Sequence, residues 1–462
     1  MFQKVKKVHF VGIGGIGMSG IAELLINMGF TVSGSDLKES PIVERLRQMG
    51  AIIHLGHASE YINDCDVLVY SSAVTQDNVE LKQAKINGIP VIKRAEMLGE
   101  LISLKETSIA VGGTHGKTST SSMIGSVLSA ANFDPTLVIG GLVKTIDTNA
   151  LLGGGDTIIV EADEFDRSFL ALSPTISIIT NIELEHTDCY DSLEDLQSAF
   201  IQFCNATPFY GSVILGCDAE SVRSIIPKIQ RPITNYGLST DFDVYAEKII
   251  HKESISQFNV FHNKKKLGSI ELQVPGLYNV INALAAIALG LEMSISFETI
   301  KIGLESYSGV KRRFEIKGIV NDIMIIDDYA HHPTEVTATL SAAKAGWNRR
   351  ILAVFQPHLY TRTRDFYREF AESFLHSDVL FVTGIYPARE QKIPNITGEL
   401  VANAAIELGH KQVIYAADLK SLESHLDRIS QSGDMIIMIG AGNIWRFCDV
   451  YYKKLFKNYA NA

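Results

Sequence analysis

Eight consecutive residues, Gly112-Gly113-Thr114-His115-Gly116-Lys117-Thr118-Ser119, combine glycine, lysine and hydroxyl side chains in the manner of a phosphate-binding loop. Glycines let backbone N–H groups surround phosphate oxygens at a helix N-terminus, a lysine balances their charge, and a hydroxyl reaches a magnesium ion. The strict spacing GxxxxGK[ST] is not met, because its first glycine would fall at Val111. A tight strand-to-helix turn with an exposed lysine is the plainer alternative, but it leaves Lys117 and Thr118 together unexplained. The segment therefore reads as a nucleoside triphosphate site.

A second glycine stretch, Gly12-Ile13-Gly14-Gly15-Ile16-Gly17, follows an apolar run, and Asp36 lies about twenty residues further on. That is the dinucleotide fingerprint, although its physics specifies only a pyrophosphate on a helix N-terminus. A nucleotide-sugar diphosphate satisfies it as well as a nicotinamide cofactor does. Two acidic segments complete the chemistry: Glu161-Ala162-Asp163-Glu164 and Asn181-Ile182-Glu183-Leu184-Glu185-His186. Each ends an apolar run, and in an open parallel sheet both lie on the side where Thr118 would hold magnesium. Glu161 and His186 are thus placed to complete a metal site; a solvated acidic loop with a capping histidine is the alternative.

These groups need a scaffold, and the chain supplies 462 residues, 46% of them apolar and 20% charged, with a formal net charge of −10. At roughly 100–200 residues per domain, about three domains are expected. Short β-branched runs alternate with longer helical patterns nearly throughout, the signature of α/β units on parallel sheets. A first series runs from the strand Val8 to Ile13 to a helical segment near Arg94 to Leu104. A second opens with Ser108 to Gly113 and includes Thr157 to Glu161, Ile176 to Asn181 and Ser212 to Leu215. Hairpin-like alternation from Phe242 to Val274 and a helix from Asn279 to Leu291 follow. A third series, after Ser306-Tyr307-Ser308-Gly309, includes Ile323 to Ile326, Ile351 to Phe355, Val379 to Val382, Val413 to Ala416 and Met435 to Ile439. The boundaries near 105 and 310 give domains over 1–105, 106–310 and 311–462.

Composition excludes several classes of function. An acidic chain lacks the basic field that general affinity for nucleic acid or anionic lipid requires, so neither is an expected partner. No run reaches the ~18 uninterrupted apolar residues of a spanning helix. Lys4, Lys6 and Lys7 precede an apolar stretch, but it is glycine-rich and soon meets Glu23, so no secretory leader is expected. Five cysteines without CxxC spacing argue against a disulfide framework or a zinc site, and a reducing cytoplasm fits them.

With Gly113-Thr114-His115-Gly116-Lys117-Thr118, Glu161 through Glu164 and Asn181 through His186, the chain resembles the ATP-dependent Mur ligases of peptidoglycan synthesis. Three further segments resemble the alanine-adding branch of that family: Gly309-Val310-Lys311-Arg312-Arg313-Phe314, Asp327-Asp328-Tyr329-Ala330-His331-His332-Pro333-Thr334-Glu335, and Phe355-Gln356-Pro357-His358 with Tyr360-Thr361-Arg362-Thr363-Arg364. The resemblance covers essentially the whole chain. It implies an α/β fold of three domains: an N-terminal Rossmann-like domain for a UDP-sugar, a central P-loop ATPase-like domain and a C-terminal Rossmann-like domain for the amino acid. The implied activity joins L-alanine to the carboxylate of UDP-N-acetylmuramate with ATP and Mg2+, in the cytoplasm, by a monomer or weak homodimer.

By the same resemblance, Gly14, Gly15 and Gly17 contact the sugar nucleotide's pyrophosphate. Gly113, Thr114, His115, Gly116, Lys117, Thr118 and Ser119, with Asn279 and Asn282, hold ATP. Thr118, Glu161 and His186 hold magnesium, Arg312 or Arg313 approaches the γ-phosphate, and Asp328, His331 and Arg362 face the incoming alanine. Lys117, Glu161, His186, Arg313, Asp328 and His331 form the candidate catalytic set, with His186 and Asp328 as candidate acceptors of the amine's proton. Tyr278 stands where the family usually carries histidine, and Leu359 where many members carry arginine. The alternatives are a recycling ligase that attaches a preformed peptide to the same sugar, a nicotinamide-dependent oxidoreductase, which leaves the phosphate loop unexplained, and a catalytically silent nucleotide-binding module.

Overall fold

The structure, a computed structural model, describes residues 4–143, 148–185, 189–388 and 390–459. Three sheets organise the chain. The first has strands β1 (Lys7–Val11), β2 (Thr31–Asp36), β3 (Ile52–Leu55), β4 (Val67–Tyr70) and β5 (Val91–Lys93) in the order β3-β2-β1-β4-β5. All its pairs are parallel. A parallel sheet is covered on both faces, which is why Val8, Phe10, Val11, Leu68 and Val69 are all buried. The strand order reverses beside β1, so the carboxyl end of β1 opens into the crevice where such sheets bind ligands, and the glycine loop from Gly12 lies there.

The middle sheet has ten strands: β6 (Thr107–Gly112), β7 (Thr136–Val143), β8 (Thr148–Leu151), β9 (Thr157–Glu161), β10 (Ile176–Ile179), β11 (Ser212–Gly216), β12 (Ile233–Gly237), β13 (Val244–Lys252), β14 (Ile255–His262) and β15 (Lys265–Leu272). Their order is β15-β14-β13-β12-β11-β10-β6-β9-β7-β8. Strand β6 lies between β10 and β9 and runs parallel to both, with Val111 opposite Glu161 and Gly112 opposite Ile179. That register places both acidic segments at the same edge of the sheet as the phosphate loop. The helix Lys117–Ala130 after the loop is rich in serine, threonine and glycine, yet buried along much of its length. Its small side chains permit close approach: a Cβ on Gly303 would lie 2.6 Å from the Val127 Cα.

The third sheet comprises β16 (Glu315–Val320), β17 (Ile323–Asp328), β18 (Arg350–Phe355), β19 (Val379–Thr383), β20 (Val413–Ala416) and β21 (Asp434–Ile439), ordered β16-β17-β21-β18-β19-β20. Only β16 is antiparallel, at the edge beside β17. Four strands escape the sequence reading. The pair β7 and β8 is interrupted by Gly140 and Gly141, β12 carries Asn235 and Gly237, and β16 alternates only weakly around Lys317 and Gly318.

By internal contacts the chain divides into two compact units. One contains Met1–Lys248, Phe258–Ile270 and Ile281–Tyr307, and so joins the first sheet to most of the middle one. The other contains Ile249–Gln257, Glu271–Val280 and Ser308–Ala462. Within the first unit, the Asn149 amide of β8 donates to the Ile16 carbonyl at 2.8 Å, and Arg45 pairs with Glu23 at 2.7 Å. Glu80 is fully buried between His9, at 2.7 Å, and His57, at 2.8 Å. Burial pushes the Glu80 carboxyl up, but hydrogen bonds from His9, Ser35 and His57 prevail and hold it below its ordinary value.

Candidate active site

The phosphate loop is shaped by two glycines and anchored by β10. Gly113 has φ +129°, and the space its Cβ would take is filled by Thr180 Oγ1, 2.2 Å away. Gly116, at φ +84°, occupies the N-cap position of the helix Lys117–Ala130 and offers no side chain to its amides. The first turn therefore keeps N–H groups for an anion, which the helix dipole favours. Asn181 fixes the loop from outside: its Oδ1 accepts from the His115 N–H at 2.8 Å and its Nδ2 donates to the His115 carbonyl at 3.0 Å. Thr114 Oγ1 donates to the Glu183 carbonyl at 3.1 Å. Thr118 and Ser119 are buried in the helix's first turn, and Asn282 packs its Oδ1 over Gly116. Asn279 donates from Nδ2 to the Pro275 carbonyl at 2.7 Å.

Lys117 donates to the Gly113 and Thr114 carbonyls and to both oxygens of Glu164, at 3.1 and 2.8 Å. Glu164 is almost wholly buried. Burial raises its carboxyl to about 7, against the pull of Lys117. Burial lowers Lys117, but Glu164 and Asp163 outweigh it and leave the ammonium above its ordinary value. A buried carboxyl group thus holds the lysine of the loop. Glu164 closes the acidic segment after β9, and nothing local in the sequence marks it as the partner of Lys117. A folded-state value raised from 4.5 to about 7 means that folding favours protonated Glu164, so this stabilisation is complete below the unfolded value and lost as pH rises through 7. Relative to Glu164→Gln, wild-type stability in a denaturant titration should fall by roughly 3 kcal/mol between pH 4.5 and 8; a constant difference would contradict the assignment.

Glu161, at the end of β9, accepts from the Gly140 N–H at 2.8 Å through Oε1. A hydroxyl and a carboxylate are hard oxygen donors suited to magnesium, so Thr118 and Glu161 fit that ion. His186, the third expected ligand, lies outside the described residues.

At the first sheet, the helix Ile16–Asn27 starts from Gly15, again without a side-chain cap. Gly14 donates its N–H to Asp36 Oδ2 at 2.8 Å, so Asp36 braces the glycine loop. Arg94 packs over Gly17, its Nη1 3.1 Å from where a Cβ would sit, and pairs with Asp163 at 3.6 Å. This cation beside Gly17 is not legible in the sequence, because nothing local distinguishes the first residue of the helix Arg94–Ile102.

In the second unit the expected residues Arg313, Asp328 and His331 lie together at the carboxyl end of β17. Asp328 is buried, and both its oxygens accept backbone N–H groups, from Phe314 at 2.7 Å and Ala330 at 2.8 Å. Arg312 donates to the Gly440 carbonyl at 2.6 Å, pairs with Asp327 at 3.4 Å and stacks on Tyr329. Arg313 also lies over Tyr329 and reaches Glu335 at 3.5 Å. Of the two arginines, Arg312 is committed to the scaffold. Arg362 lies in the first turn of the helix Tyr360–Ser373, and Glu390 Oε2 accepts the Thr361 N–H there at 3.1 Å. That carboxylate supplies the anion a helix N-terminus favours. Leu359, at φ +70°, holds a conformation that disfavours a branched side chain.

A glycine-lysine loop flanked by acidic strand ends, on a sheet that follows one Rossmann-like sheet in the chain and precedes another, is the organisation of the nucleotide-dependent ligases that the chain matches. The chain belongs to the Mur ligase family: residues 7–106 match the Mur ligase family catalytic domain, 111–290 the Mur ligase middle domain and 312–442 the Mur ligase glutamate ligase domain. It is 48% identical to the UDP-N-acetylmuramate–L-alanine ligase of Geotalea daltonii, over 98% of this chain and 99% of that one. The same-named enzyme of a Sulfurihydrogenibium species is 50% identical, with 98% of each chain covered. Among solved structures, the UDP-N-acetylmuramate-alanine ligase of Thermotoga maritima superposes with a TM-score of 0.84 at 29% identity, over 98% of this chain and 99% of that chain. A murein peptide ligase from Psychrobacter arcticus gives 0.71 at 26% identity, covering 99% of each.

Proposed function

We propose that this chain joins L-alanine to the carboxylate of UDP-N-acetylmuramate in peptidoglycan precursor synthesis, consuming ATP and releasing ADP and phosphate. The observation that carries the reading is likeness along the whole length, at 46% to 50% identity, to eight relatives that all bear the name of this activity. Joining a carboxylate to an amine in water is uphill, so the carboxylate must first be activated. Lys117 and Arg313 stabilise negative charge as the γ-phosphoryl group passes to the muramoyl carboxylate, a step governed by positioning and electrostatics. Thr118 and Glu161, with His186, would hold magnesium, which supplies further charge neutralisation at the phosphates. Gly14, Gly15 and Gly17 present the first helix N-terminus to the UDP pyrophosphate, with Arg94 beside it. Asn279 and Asn282 serve the ATP base, and Arg362 the alanine carboxylate. Among the described residues no helix is long and apolar enough to cross a membrane.

The test is phosphate release from MgATP and UDP-N-acetylmuramate with L-alanine, with a murein tripeptide, or with no acceptor. Release that requires L-alanine, with a product heavier by one alanyl residue, is expected. Release only with the tripeptide would move the chain to the peptide-recycling activity. No release with either acceptor would leave a nucleotide-binding protein without ligase chemistry.

A further inference from the structure

A carboxylate and a histidine form a close pair at the carboxyl end of β17. His331 Nδ1 stands 3.1 Å from Glu335 Oε2 and 3.0 Å from the Tyr329 carbonyl oxygen. Both neighbours are acceptors, so Nδ1 carries the proton, and in the neutral ring the basic lone pair is on Nε2. Glu335 is itself held. Its Oε2 also accepts the His331 backbone N–H at 2.9 Å, its Oε1 meets Arg313 at 3.5 Å, and its side chain is only 11% exposed. The rings of Tyr329 and His358 lie edge-on to His331 at 5.3 and 6.1 Å, so the titratable His358 faces it beside Glu335 and Arg313. A carboxylate on Nδ1 that fixes the tautomer and steadies the imidazolium is the arrangement that makes a histidine a directed base. Asp328, the other candidate here, has both oxygens engaged by backbone amides.

We propose that His331 Nε2 accepts the proton of the incoming amine, and that Glu335 is the positioning residue that makes it do so. The inference rests on the ligase reading and names a step within it. The amino acid arrives as an ammonium ion and gives one proton to Nε2. The neutral nitrogen attacks the acyl-phosphate carbonyl, a C–N bond forms, and the C–O bond to phosphorus-bound oxygen breaks with its electron pair leaving on phosphate. The nitrogen's surplus proton passes to that phosphate, and His331 returns its own to solvent.

Hydroxylamine separates this step from activation, because it is largely unprotonated at neutral pH and captures an acyl phosphate without a base. His331→Asn keeps a donor near Nδ1 but has no basic nitrogen. Glu335→Gln keeps an acceptor for the His331 N–H but loses the charge. In His331→Asn, amide formation should fall about 10²–10⁴-fold, while hydroxamate formation from MgATP and UDP-N-acetylmuramate stays near wild type, which also shows that the variant is folded. In Glu335→Gln, the acid limb of the kcat profile should move down by about one pH unit with KM for UDP-N-acetylmuramate unchanged. Hydroxamate and amide formation falling together in His331→Asn would overturn the proposal, as would an unmoved acid limb in Glu335→Gln. Wild type is assayed first: if it rejects L-alanine the alanine reading fails, and the variants are compared on the amine it accepts. If it accepts no amine, the proposal falls with the ligase reading.

Discussion

Lys117→Ala should lose about 10²–10³-fold in phosphate release, the typical effect of removing one preorganised donor from a developing negative charge. The ammonium is fastened by two loop carbonyls and the two oxygens of Glu164. Truncation therefore removes the loop's internal brace as well as its charge. The same change has a second, pH-dependent consequence. Removing one partner of a buried ion pair costs about 3–5 kcal/mol when the other must remain charged. Glu164 escapes part of that by taking a proton, since burial already brings it to about 7. Thermal unfolding of Lys117→Ala should therefore lie near wild type at pH 6 and fall clearly below it at pH 8. A turnover loss that persists at pH 6 then belongs to phosphoryl transfer rather than to instability. Full turnover in the variant would remove the phosphate-loop assignment and with it the ligase chemistry.

What could be read from the residues alone, and what could not, divides along the range of the interaction. The loop Gly113 to Ser119 and the segments at Glu161 and Asn181 are legible because phosphate binding is encoded in consecutive residues joining a strand to a helix. Their convergence follows from parallel topology, which the register of β6 with β9 and β10 displays. The pairing of Glu164 with Lys117 is not legible, because it joins residues 47 apart whose contact depends on neighbouring strand order. Arg94 is hidden for the same reason: it reaches Gly17 and Asp163 from outside either motif. Asp328 shows the converse limit. Its motif singles it out, but only the structure shows a carboxyl occupied by the Phe314 and Ala330 amides, while Glu335 holds the neighbouring ring. The hairpin of β7 and β8 eludes periodicity because Gly140 and Gly141 interrupt it, yet the Gly140 amide is what meets Glu161.

Gly113→Ala is expected to abolish nucleotide binding more completely than Gly116→Ala, although both glycines stand at positive φ. At Gly113 an added Cβ would lie 2.2 Å from Thr180 Oγ1, 2.9 Å from the Asn181 carbonyl oxygen and 3.0 Å from the Thr180 nitrogen. Two of those atoms are backbone of the segment that anchors the loop, so the clash cannot be relieved by a rotamer change. At Gly116 the nearest atoms belong to the end of the Asn282 side chain, at 2.6 Å, which can swing aside. Left-handed backbone at a non-glycine residue costs about 1–3 kcal/mol in either case; only Gly113 adds displacement of β10's carboxyl end. Titration calorimetry with ATP should therefore show binding weakened more than about 100-fold, or ~2.7 kcal/mol, in Gly113→Ala. Gly116→Ala should lose about tenfold, or ~1.4 kcal/mol. Combining Gly113→Ala with Thr180→Ala removes the closest contact but neither the backbone contacts nor the unfavourable φ, so it should restore only part of the affinity. Complete restoration would mean that the loop's shape is set by the Thr180 side chain alone, and near-wild-type binding in Gly113→Ala would mean that the loop tolerates displacement and does not cradle phosphate through this backbone.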